Sequence, residues 1–233
     1  MLVTRQSKTV PYITQRASEV GDLLADLRGA PGPRGRMRLA YRGERPEDRD
    51  VRGVLWGRCG QAPRDEHGVP MGEPVWRMAH PARQRQAMQY GLCHVCARPA
   101  RTAEGLLFLA GRDEYGPAGA GIITCQPPVC PPHAPVAAEL WPYLAGEPAV
   151  FLAASCPLYG VLGTPYVYDA GELQALAPPQ GPVAYRDPGL NLGWLLASQL
   201  ARQLRAVQRI GLSDVRDLRP APRSDSSAPP GWS

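Results

Sequence analysis

Six cysteines punctuate this 233-residue chain, and four of them fall within a short central stretch. Cys93-His-Val-Cys96 is a C-x2-C pair; after thirty-three intervening residues comes Cys130-Pro-Pro-His133, a C-x2-H pair. Two residues between donors let one tight turn aim both at a single ion, and two such turns complete a tetrahedron. Thiolate and imidazole donors suit Zn2+, which brings no redox chemistry to endanger a fold. A lone C-x-x-C is shared with redox motifs, and the second pair is what points to a metal. Cys125 leaves an alternative open: it could replace His133 in an all-thiolate site with C-x4-C spacing, or be a buried thiol. The stiff Pro127-Pro128 step between Cys125 and Cys130 favours Cys130 with His133. His94 reads as solvent-facing, and Cys59 and Cys156, each alone, read as core residues.

Four protein ligands close the coordination sphere and leave no position for water or substrate, so the ion reads as structural, one per chain. Between the pairs, Leu106 to Leu109 and Ile122 to Thr124 read as two strands of a hairpin joined by a Gly-rich loop. Ala134 to Leu140 reads as a helix with the second ligand pair at its start, where free N–H groups favour thiolates. Knuckle, hairpin and helix in that order resemble a treble-clef zinc finger. That fold also hosts the His-Asn-His nucleases, but Ala97 to Thr124 holds no histidine, and residues 134–145 hold neither Asn nor His. No phosphate loop, nucleophile elbow or H-E-x-x-H motif appears. The expectation is a non-enzymatic protein, with a diverged nuclease or another enzyme whose site lies outside the zinc cluster as the alternative.

The elements that must position these ligands are less sharply written. Val20, Leu23, Leu24 and Leu27 recur with helical spacing between a Ser18 cap and a Gly29 stop. Met37 to Tyr41 alternates like a strand, and Val54 to Trp56 is a short apolar one. Pro81 opens a helix after His80, and Gly91 ends it. Val150 to Ala153, Tyr159 to Leu162 and Tyr166 to Tyr168 suggest a small mixed sheet. Asp169 to Glu172 has capping-box spacing before a short helix. From Asp187-Pro188 the pattern Leu192, Leu196, Leu200, Leu204 predicts the longest helix, amphipathic and C-terminal. The expected fold class is α+β. It comprises a basic N-terminal α/β segment (1–90), a treble-clef-like zinc module (91–145), a small α+β segment ending in the long helix (146–211) and a disordered tail (212–233).

Hydrophobic residues make up 44% of the chain, which argues for a folded body despite 27 prolines and 25 glycines. No apolar stretch at the N-terminus reads as a signal peptide and none is long enough for a membrane span, so a reducing cytoplasm is expected. The net charge of +5 is unevenly spread: +6 over residues 1–92, −4 over 93–189 and +3 over 190–233. Contact with nucleic acid would therefore use the flanks, through Arg83 and Arg85 on the first helix or Arg202, Arg205 and Arg209 on the last. A solvated face, or a protein partner, explains those arginines as well. Lys8 is the only lysine, which suggests GC-rich codon usage and makes abundant arginine a weaker pointer to phosphate binding.

Several stretches together resemble a group of uncharacterised actinobacterial zinc-binding proteins. They are His80 to Met88 (His-Pro-x-Arg-Gln-Arg-x-Ala-Met), Cys93/Cys96, Pro127-Pro-Val-Cys130 with His133, and Leu196-Ala-Ser-Gln-Leu200. His133 stands where that group more often shows Cys, and zinc accepts either. The resemblance spans about residues 51–210. It implies the zinc site and an actinobacterial or mobile-element origin, with no activity attached.

Overall fold

The computed structural model describes residues 9–19, 26–111, 121–140, 148–169, 171–187, 189, 191–219 and 221. In chain order the strands are β1 (Thr14–Arg16), β2 (Leu27–Pro31), β3 (Met37–Tyr41), β4 (Leu55–Trp56), β5 (Pro74–Ala79), β6 (Leu106–Ala110), β7 (Ile123–Thr124), β8 (Ala149–Ser155), β9 (Leu158–Asp169), β10 (Glu172–Ala175), β11 (Val183–Ala184), β12 (Leu195–Gln203) and β13 (Arg205–Ile210). Two short α-helices join them, α1 (Pro81–Tyr90) and α2 (Ala134–Leu140). The protein is thus mixed α/β and mostly strand, divided among several small sheets. Among the described residues no helix is long and apolar enough to cross a membrane, which says nothing of strands that cross as a barrel.

The largest sheet runs β10-β9-β12-β4, with β11 added to β9 and β7 to β12. β12 pairs antiparallel with β9 and parallel with β4. It therefore overturns the C-terminal helix, as does β13 after it. Leucines four apart share a helix face, but four is also twice the strand repeat, so the spacing alone fits either element. Packing decided between them, because β9 lies alongside. Here a bulge between Ala197 and Gln199 sends Leu200 into one core cluster with Leu195 and Ala197, and Leu196 onto another. A methyl built on Gly163 of β9 would run into the Leu196 carbonyl oxygen, so only glycine lets the two backbones come that close. α1 packs on β12, and Gln84 joins them as a peptide group would. Its side-chain amide donates to the Leu200 carbonyl (2.9 Å), and its oxygen accepts from the Leu200 N–H (2.8 Å).

Three more expectations change. Val20, Leu23 and Leu24 of the first helix lie outside the described residues, but Leu27 and Gly29 belong to β2, which pairs with β3. Asp169 and Glu172 are partners across a hairpin between β9 and β10, with Gly171 at φ +90°, so the four-residue spacing marks a turn rather than a cap. The hairpin between the ligand pairs does not form. β6 pairs with β8, whereas β7 pairs with β12, so the two strands serve different sheets.

The largest apolar core takes residues from each of the four stretches that charge and composition distinguish. Tyr12 and Ile13 meet Leu92, Leu107, Phe108, Val150, Leu204 and Val215, all nearly solvent-free. Val215 and the short 3-10 turn Asp214–Asp217 fold onto this core, so order extends past residue 212. The last residues of the expected tail, 222–233, lie outside the described ones.

Candidate metal centre

The first ligand pair follows α1 directly. His80 caps that helix with its side chain, Pro81 fixes the first φ, and Gly91 ends it at φ +64°. The chain then tightens into a knuckle. The Cys93 N–H donates to the Arg98 carbonyl (2.7 Å), and the Ala97 N–H donates back to the Cys93 carbonyl (2.8 Å). This turn forces Ala97 to φ +58°, the left-handed region that glycine enters without cost.

The second pair sits where a strand-like segment meets α2. Val129 donates to Leu107 of β6 (2.9 Å), which pins the segment to the core. Cys130 then precedes the 3-10 turn Pro131–His133, whose His133 N–H returns to the Cys130 carbonyl (3.0 Å). His94 ties the halves together. Its backbone N–H donates to the Pro128 carbonyl (3.0 Å), and its Nδ1 donates to the carbonyls of Pro127 (3.0 Å) and Pro128 (3.2 Å). The solvent-facing reading of His94 is therefore wrong, since the residue is fully buried. Burial pushes its pKa down to about 4, leaving a neutral ring. A histidine between two cysteines carries no sequence signal that separates a strut from a surface residue.

The ligand atoms of Cys93, Cys96, Cys130 and His133 all lie within 4.8 Å of one another. Cys96 Sγ is 3.9 Å from Cys130 Sγ, and Cys130 Sγ is 3.1 Å from His133 Nδ1. Cys93 is buried and the other three are half-buried. This cluster can hold a metal ion. Metal–sulfur bonds of about 2.3 Å in a tetrahedron put sulfurs about 3.8 Å apart, close to the spacing seen. Cys125 is not among the four. Its carbonyl instead accepts from Gln84 (2.6 Å), which anchors the approach to Pro127. Hydrogen bonding from Cys130, then Cys93, pulls the Cys96 thiol far below the usual range. Cys130, beside the other two sulfurs, is pushed up. The three sulfurs thus compete for protons, and a cation that displaces those protons satisfies all of them.

Compared with protein-family models, with curated proteins and with solved structures, the chain matches none.

The five arginines expected at phosphates are scattered. Arg83 is buried and holds Glu19 in a bidentate ion pair, with a further bond to the Thr14 carbonyl. Arg85 is half-buried, its guanidinium 4.7 Å from the Trp56 ring centre. Arg202 caps the end of α1, donating to the carbonyls of Met88 (2.7 Å) and Gln89 (3.1 Å) and also to Cys156. Only Arg205 and Arg209, on β13, are exposed.

Behind the knuckle lies a polar cluster that the sequence did not announce. Glu19 is solvent-free, and its oxygens also accept from the N–H groups of Arg16 (2.7 Å) and Ala62 (3.0 Å). Burial opposes its charge. The hydrogen bonds from Arg83, Arg16 and Ala62 outweigh that and hold its carboxyl at about 2. His80 donates from Nε2 to the Gly60 carbonyl (2.9 Å), and burial, then Arg83, keeps it neutral by lowering its pKa. Cys59 accepts from Gln15 (3.3 Å), and burial raises its pKa to about 11, so it stays an inert thiol.

Proposed function

We propose that this protein is a zinc-structured, non-enzymatic interaction module. The observation that carries the reading is the four-donor cluster, in which two sequence-local pairs bring their ligand atoms within 4.8 Å of one another, enough donors to fill a tetrahedral sphere. A Cys3His set favours zinc over harder cations, and a filled sphere suits structure rather than catalysis. The ion would tie the knuckle after α1 to the start of α2, a zinc-finger arrangement that retains the knuckle and helix of a treble clef without its hairpin. A reducing compartment keeps three thiols available for such a site. Metal analysis of the purified chain should return one zinc per molecule, and removal by a chelator should melt the central region. A stoichiometry near zero, or unchanged stability after removal, would sink the reading.

The exposure of Arg205 and Arg209 on β13 favours nucleic acid as the partner. Binding to a fluorescent DNA or RNA duplex should weaken as salt rises, by about one unit of log affinity per log salt for each phosphate contacted. Arg209→Gln should reduce that slope. Salt-independent binding, or none, would point to a protein partner instead.

A further inference from the structure

A cavity of about 640 Å³ opens beside the metal cluster, between the N-terminal segment, the loop at His67 to Gly72 and the knuckle. Cys96 and His133 form one edge of it, Arg98 another, and Arg16 part of the wall. The described lining residues include no Asp or Glu.

Arg16 is the unusual member. It is 1% exposed, its Nε donates to the Pro70 carbonyl (3.0 Å), and its Nη1 is buried without a hydrogen-bond partner among the described residues. Two buried guanidinium groups, Arg16 and Arg83, share the neighbourhood of one buried carboxylate. Both oxygens of Glu19 are already taken by Arg83 and two backbone N–H groups, and His80 is neutral. Among the described residues one positive charge is therefore left over in a place that water barely reaches, an arrangement that an anion would relieve. Arg98, exposed on the same cavity, makes no side-chain ion pair or hydrogen bond among the described residues.

We propose that this cavity binds a small organic oxyanion, with its carboxylate or phosphate head on Arg16 and Arg98 and its apolar body against Val10, Val69 and Val95. Guanidinium forks match both kinds of head in a bidentate manner. The volume lies within the roughly 300–1,000 Å³ of small-molecule sites, more than a bare ion needs. This reading stands apart from the identity of the metal. It has one competitor: a loaded cluster of three thiolates, one imidazole and a divalent cation carries a single negative charge, and Arg16 could serve as its counter-ion alone.

The test is a titration of the metal-loaded full chain with phenyl phosphate, benzoate and inorganic phosphate, followed by calorimetry and by the side-chain NMR signals of arginine. Saturable binding of phenyl phosphate or benzoate is expected, tighter than for inorganic phosphate, with the stronger of the two identifying the head group. Arg98→Gln, a surface change that spares folding, should weaken it about tenfold, the loss of one charge-assisted hydrogen bond. Arg16→Lys, which retains charge but not the fork, should weaken it further while metal content stays constant. No saturable binding of any probe overturns the proposal, as does binding that neither variant affects. Loss of metal in Arg16→Lys, with no probe binding to the parent protein, assigns Arg16 to the cluster instead.

Discussion

Arg83 of α1 and Glu19, sixty-four residues earlier, meet in a bidentate pair at 2.5 and 2.8 Å with side chains 3% and 0% exposed. The contact joins the N-terminal segment to the helix that delivers the first metal ligands. Removing one partner strands a buried charge, so Glu19→Gln or Arg83→Met should each cost about 3–5 kcal/mol. Urea unfolding would measure both. Because they remove the same interaction, the double variant should lose clearly less than the sum.

The same pair sets a dependence on acid. Glu19 titrates at about 2 in the folded chain against an ordinary 4.5, so its contribution is whole above 4.5 and is lost as pH falls toward 2. His80 acts in the same direction from higher pH. Its folded pKa lies below 6.5, so the unfolded chain takes up a proton first and stability begins to fall beneath 6.5. Denaturation midpoints measured from pH 7 to pH 3 should decline for the parent protein, and Glu19→Gln should flatten the part below 4.5.

Ligand exchange separates the four clustered donors from their neighbour. Cys93→Ser and Cys130→Ser should abolish stoichiometric zinc and destabilise the central region. Cys125→Ser should leave zinc at one per chain, because that thiol stands outside the cluster. Metal content by mass spectrometry, with thermal unfolding alongside, checks both outcomes.

Ala97 offers a stabilising change. Its left-handed φ of +58° costs about 1–2 kcal/mol, and glycine would relieve that while loosening the unfolded chain by about 0.4–1 kcal/mol. Ala97→Gly should therefore raise stability by about 1 kcal/mol, with metal content unchanged.

Gly163 should tolerate nothing larger. A methyl there meets the Leu196 backbone, so Gly163→Ala should force β9 and β12 apart, at about 1–3 kcal/mol. Hydrogen exchange along β12 would show the loss directly.

What could be read from the residues alone was what depends on neighbours in the chain. A C-x2-C knuckle, a C-x2-H pair and a Pro-opened, Gly-closed helix are local geometries, and Cys93, Cys96, Cys130, His133 and α1 all stand where they were expected. Long-range pairing was not legible. Leu192, Leu196, Leu200 and Leu204 satisfy both periods, and only the presence of β9 and β4 makes strand of the segment that carries Leu196 and Leu200. Arg83 and Arg202 resembled surface charges because nothing within a few residues reveals Glu19 or the exposed carbonyls at the end of α1. His94 was misread for the same reason, since its partners lie thirty-three and thirty-four residues away.

Gln84 has a bearing on how the chain is made. Its amide partner, Leu200, lies 116 residues downstream, so α1 emerges from the ribosome long before the strand that seats it. At synthesis rates of about 5–20 residues per second, that delay is roughly 6–23 s during which Met88 and its apolar neighbours lack their cover. The knuckle immediately after α1 is complete within that interval, and its partner pair follows by residue 133. Metal captured by the nascent chain would organise the middle of the molecule first and hold the helix near its eventual position until β12 arrives.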